Sequence, residues 1–134
     1  MTSKETISRN NTTVIESEDQ AGQHHVTVTL HQTAIVRLTW SVRAMPYGAR
    51  IPSTGGPVGD VLVTLNAGGY RTATTKRRIN QVATAYGLPF RVYQTRGIWF
   101  VRVNRIERRG DAIIRSSLAQ TFSDGMTFEV TASV

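Results

Sequence analysis

The sequence predicts an α+β fold: a mainly antiparallel sheet or open barrel carrying one principal helix over about residues 75–86. Three observations predict it. Several segments alternate apolar and polar residues with period two, one segment repeats with helical spacing, and glycine and proline punctuate the chain between them. At 134 residues the chain is long enough for one domain with a modest core. The expected organisation is a flexible N-terminal arm over residues 1–23, then a single α+β domain over 24–134 with a Pro/Gly-rich loop at 43–60.

The arm is rich in Ser, Thr, Asn, Glu and Gln, with only Ile7 and the pair Val14-Ile15 interrupting it. Val14 and Ile15 would add a strand if another chain offered an edge, which is the route to a homo-oligomer that the sequence allows. Val26, Val28 and Leu30 then alternate with Thr27, Thr29 and His31, and Val36, Leu38 and Trp40 with Arg37 and Thr39. This reads as two strands, or one long bent strand, around Gln32-Thr33. Pro46, Pro52, Pro57 and four glycines exclude helix and central strand between Arg43 and Asp60. Arg43 and Arg50 there could help cover an anion.

Val61–Leu65 is a short apolar strand, expected to be central, and Asn66-Ala67-Gly68-Gly69 a turn. Tyr70–Thr72 can re-enter the sheet. In the helix, Ile79, Val82, Ala83 and Tyr86 recur at i, i+3, i+4 and i+7; Thr74 or Thr75 is the natural N-cap, and Gly87 and Pro89 end it. Phe90–Gln94 and Ile98–Val103 form a hairpin around Thr95-Arg96-Gly97, its second strand expected to be interior. Arg105–Asp111 reads as a charged turn, Ala112–Arg115 as a strand, and Ser116–Thr121 as ambiguous. Asp124-Gly125 marks a hairpin turn before a half-buried strand that runs to Val134.

Charge narrows the function. The net charge is +7 and the pI about 10.8. Between Arg71 and Arg109 lie Lys76, Arg77, Arg78, Arg91, Arg96, Arg102, Arg105 and Arg108, with Glu107 the sole acid. Such a field suits an anionic partner. There is no cysteine, hence no disulfide, thiol nucleophile or cysteine-ligated metal. No apolar run spans a membrane, and the N-terminus has no signal-peptide pattern. His24, His25 and His31 lack a carboxylate that completes a metal site, and no catalytic pair or nucleophile elbow is present, so no cofactor, metal or enzymatic activity is expected.

The expected anion or nucleic-acid site gathers around the helix start. Gly68 and Gly69 would give backbone access, Thr72, Thr74 and Thr75 offer hydroxyls, and Arg71 a planar fork. Lys76, Arg77 and Arg78 fall in the expected first turn, where the helix dipole opposes them unless an anion is bound. Neither a Walker A loop nor a dinucleotide fingerprint is present. Arg91, Tyr93 and Arg96 extend the site. Tyr70 and Tyr93 are the aromatics expected to stack on a base, whereas Tyr86, Phe90, Trp99 and Phe100 fit the core by periodicity.

Leu65-Asn66-x-Gly68-Gly69-Tyr70-Arg71-Thr72-x-Thr74-Thr75-Lys76-Arg77-Arg78-Ile79-Asn80-Gln81, with Gly87–Gln94 and Trp99-Phe100-Val101 after it and Leu30–Val36 before it, resembles a group of small tailed-phage proteins. The shared motif is L-N-x-G-G-[YW]-x-T-x-T-T-K-x-R-[IM]-N-Q. Residues 43–60 and those after Asn104 depart from that pattern. The resemblance implies a phage or prophage origin and expression in a bacterial cytoplasm, and brings no activity with it. The leading expectation is a non-enzymatic nucleic-acid-binding accessory protein. The alternatives are an oligomeric protein that sequesters a small phosphorylated ligand, such as a nucleotide immune signal, and a structural or virion component.

Overall fold

Period-two segments build most of the molecule. A computed structural model describes residues 11–41, 57 and 59–132. Its elements, in order, are β1 (Thr12–Glu18), β2 (Gln23–Leu30), β3 (Thr33–Ser41), β4 (Gly59–Leu65), α1 (Ala73–Ala85), β5 (Phe90–Thr95), β6 (Ile98–Arg109), β7 (Ala112–Thr121) and β8 (Met126–Ala132). The strands form two antiparallel sheets, one of order β1-β2-β3-β4-β8 and one of order β5-β6-β7. The fold is therefore α+β and mostly sheet, with two open sheets rather than a closed barrel.

Alternation decides which faces meet. Val26, Val28, Leu38, Trp40, Val61, Val63, Leu65 and Val130 cover the inner face of the larger sheet. Against it pack Ile79, Val82, Ala83 and Tyr86 of α1, and Phe90, Val92, Trp99, Val101 and Val103 of the smaller sheet. An edge-to-face pair joins the two sheets, Phe90 meeting Phe128 at 5.4 Å, and within the smaller sheet Trp99 meets Phe122 at 5.3 Å. Asn80 locks α1 to β5, because its amide donates to Val92 O and accepts from Val92 N, each at 2.8 Å. The helix thereby closes the outer edge of β5.

Several expectations change. Residues 12–18 are not a flexible arm: β1 pairs along its whole length with β2 of the same chain, so Val14 and Ile15 need no foreign edge. Residues 1–10 of the expected arm, with Arg43, Arg50 and nearly all of the 43–60 loop, lie outside the described residues. Gln32-Thr33 marked the right place, since β2 turns through His31-Gln32 into β3, with a register shift at Val28/Thr29. Tyr70–Thr72 does not re-enter a sheet. The expected charged turn at 105–111 is mostly strand, because β6 continues to Arg109 and only Gly110-Asp111 turns. Asp124-Gly125 does turn the chain, but it joins β7 and β8 of different sheets instead of closing a hairpin. Among the described residues no helix is long and apolar enough to cross a membrane.

Candidate nucleic-acid interface

The glycine turn is a closed structure. Gly68 has φ +61°, and a Cβ there would lie 2.8 Å from Thr33 Oγ1, so only glycine fits. The amides around it already face a carboxylate: Ala67 N donates to Asp124 Oδ1 at 2.8 Å and Gly69 N to Asp124 Oδ2 at 2.9 Å. Gly68 N donates to Asn66 Oδ1 at 2.7 Å. The backbone access expected at Gly68 and Gly69 is thus taken up by Asn66 and by Asp124, the latter an anion the chain supplies itself.

The helix starts earlier than its periodicity suggested. Thr72 is the N-cap, its Oγ1 accepting from Thr75 N at 3.1 Å and lying 3.0 Å from Thr75 Oγ1. Lys76 closes the first turn, and Arg77 and Arg78 lie in the second. The dipole's opposition fades within one turn, so the expected conflict with three first-turn cations is largely absent. The three also diverge. Arg78 points inward, 6% exposed, its Nε donating to Thr12 Oγ1 of β1 at 3.2 Å. Lys76 Nζ donates to Gln94 Oε1 at 3.3 Å and lies 6.0 Å from the Trp99 ring centroid. Arg77 is exposed. Thr74 is exposed too, Tyr70 is 73% exposed, and the Arg71 guanidinium lies 5.1 Å over the Phe122 ring.

The smaller sheet gathers the rest. Its inner face, through Phe90, Val92, Trp99, Val101 and Val103, is core, so the alternate residues face solvent. Register places Arg91 opposite Arg102 and Tyr93 opposite Phe100 on β5 and β6, and Ile106 opposite Arg115 on β6 and β7. The Tyr93 and Phe100 rings stack at 5.6 Å and 22°, both partly exposed, and the Arg102 guanidinium lies 4.9 Å over Tyr93. No acidic residue occupies this face among the described residues. Beside it, Lys76, Arg77 and Arg91 line a cleft of about 490 Å³ between α1 and β5, with Asn80, Gln81 and Thr84. At the tip of the β5–β6 hairpin, Arg96 has φ 52° and Gly97 φ 77°, the two-residue turn that favours Asn-Gly. An arginine held there is strained.

Among the described residues Lys76, Arg77, Arg91, Arg96, Arg102 and Arg115 form no ion pair; the pairs present are His25–Asp19 at 2.8 Å and Arg109–Glu107 at 3.7 Å. Nor do three His, Asp or Glu side chains gather there as a metal site requires. The structure thus splits the expected site. Lys76, Arg77, Arg91, Tyr93 and Arg96 lie on or beside the open sheet face; Gly68 and Gly69 belong to a self-bonded turn; Thr72, Thr74 and Thr75 cap and open α1; Arg78 is interior. Phe100, Arg102 and Arg115 share that open face without being among the expected site residues. The signal for the first two was in hand, since they alternate with Trp99, Val101 and Val103, whose face is the core.

The family model described as Kyanoviridae Gp96 protein matches residues 1–129. The chain belongs to this family of phage proteins. No curated protein and no solved structure matches it. The match takes in both sheets, the helix and the whole open face up to β8.

Proposed function

We propose that this phage protein is a non-enzymatic accessory protein that binds single-stranded nucleic acid in the cytoplasm of a bacterial host. One observation carries the reading: the open face of the β5-β6-β7 sheet holds adjacent Tyr93 and Phe100 rings among Arg91, Arg102 and Arg115, with no acid on it among the described residues. Aromatic rings on a sheet give bases a surface to stack on, and the surrounding guanidinium groups meet the phosphates that flank them. Duplex hides its base faces, so this chemistry selects unpaired strands. The cleft with Lys76, Arg77 and Arg91 continues the cationic track beside the platform.

That cleft supports a second reading, a small phosphorylated ligand held by the same three cations. Salt separates the two. Fluorescence anisotropy with single- and double-stranded DNA and RNA oligonucleotides should give a log–log salt slope near −0.7 per phosphate contacted on a single strand. A single-nucleotide ligand would show a shallow slope and fixed stoichiometry. A folded sample that binds no oligonucleotide at low salt rejects the first reading.

A further inference from the structure

We propose that β7 is a docking edge for a second copy of this chain, which extends the smaller sheet across a two-fold axis. All ten residues of β7 are exposed, including Ile113, Ile114 at 40% and Leu118 at 58%. Among the described residues its backbone edge is also open. Phe122 N donates to Trp99 O at 2.9 Å, and Trp99–Phe122 continues the β6–β7 register. By antiparallel alternation, Ala112, Ile114, Ser116, Leu118 and Gln120 bond to β6. The N–H and C=O groups of Ile113, Arg115, Ser117, Ala119 and Thr121 therefore point away from the molecule.

Exposed edges are normally blunted by charge, proline or bulges. The edge strand β1 carries Glu16 and Glu18, and β5 is closed by Asn80. By contrast β7 has no proline, no acid, one cation and an unbroken register.

The occupant follows from self-complementarity. With Ser116 opposite Ser116 of the second copy, the outward-pointing backbone groups meet in an antiparallel ladder. Ile114 then faces Leu118 of the second copy in close, non-hydrogen-bonded pairs, and two-fold symmetry makes this contact twice. Ile113 meets Ala119 of the second copy. Arg115, the one charge on the strand, meets Ser117 of the second copy, so no like charges are opposed. The axis is perpendicular to the sheet, so both open faces lie on one side. If those faces bind nucleic acid as proposed above, the dimer offers one continuous platform.

The chain's lack of cysteine gives a direct test. Non-hydrogen-bonded Cα atoms about 4.5 Å apart suit a disulfide. Full-length protein should sediment as a dimer, and Ser116→Cys should form a covalent dimer on mild oxidation, whereas Ser117→Cys should not. Ser117→Pro removes an outward N–H without touching the β6 ladder, so it should yield a folded monomer by sedimentation and circular dichroism. Independently, Leu118→Lys should weaken the dimer through the side-chain pair. A monomeric wild type, a dimer that survives Ser117→Pro, or no cross-link at Ser116→Cys would overturn the proposal.

Discussion

The two sheets share an inner core and differ on the outside. The larger sheet's outer face is polar and mixes charges of both signs, Arg37 with Asp60 and Glu129. Thr27, Thr29, Thr39, Thr64, Thr127 and Thr131 dominate it. Thr64 Oγ1 lies 3.2 Å from Thr127 Oγ1, Thr131 donates to Asp60 Oδ1 at 3.0 Å, and His25 Nδ1 lies 3.3 Å from Thr39 Oγ1. That is what a solvated sheet face needs. The smaller sheet instead exposes Tyr93 and Phe100 among several arginines, with no acid on that face among the described residues. A stacked cross-strand aromatic pair supports a sheet by itself, but Arg91 directly opposite Arg102 costs stability without a counter-ion. That difference is the ground for proposing the smaller sheet as the binding face.

The comparison can be broken in several ways. Tyr93→Ala and Phe100→Ala should each weaken oligonucleotide binding about 5- to 150-fold, the worth of one stacked base. Thr64→Ala on the other sheet should leave binding unchanged; equal losses on both sheets would erase the distinction. Asp124→Ala should lower stability by about 1–3 kcal/mol in urea denaturation, because it leaves the buried Ala67 amide without its acceptor while the exposed Gly69 amide turns to water. Binding by the remaining folded fraction should survive, in keeping with a structural turn.

Smaller effects sharpen the picture. Arg91→Gln and Arg102→Gln should each reduce the salt slope by about 0.7, one phosphate contact apiece. Arg96→Asn should raise stability by about 0.5–1 kcal/mol by relieving left-handed strain, while binding weakens. The smallest effect concerns the larger sheet. The hydrogen bond from His25, then the amides of Gln23 and Ala21, hold the Asp19 carboxyl below its ordinary value of 3.8. The charged form is favoured by folding, so its contribution is present above that value and lost as pH falls through the lowered one. A Tm difference between wild type and Asp19→Ala should fade over that acidic range.

Much of this was legible in the sequence. Ile79, Val82, Ala83 and Tyr86 predicted the helix face, and Gly87 its end, because local periodicity and capping are written in neighbouring residues. The start was misplaced because Thr72, Thr74 and Thr75 are equally good caps. β1 was missed because an edge strand with one half-covered face carries little apolar signal. The outer half of β6 read as a turn for a related reason: beyond Val103 its side chains leave the core, and pairing with β7 alone keeps it extended. The weakest part of the site reading was the glycine turn. Its true partner, Asp124, lies 57 residues from Ala67, a contact that no local pattern announces. Phe100 reads as core from the sequence because apolar residues on both sides of a strand look alike until the fold shows which face is covered.

The most direct test is photocross-linking with 5-iodouracil oligonucleotides, which join aromatic rings stacked on the base. Trypsin cuts after Arg91, Arg96 and Arg102, separating Tyr93 from Phe100. Cross-links should fall in peptides 92–96 and 97–102 and disappear in the Tyr93→Ala/Phe100→Ala protein. Cross-links confined to Tyr70 in the glycine-turn region, or none with a folded sample, would contradict a nucleic-acid platform on the smaller sheet.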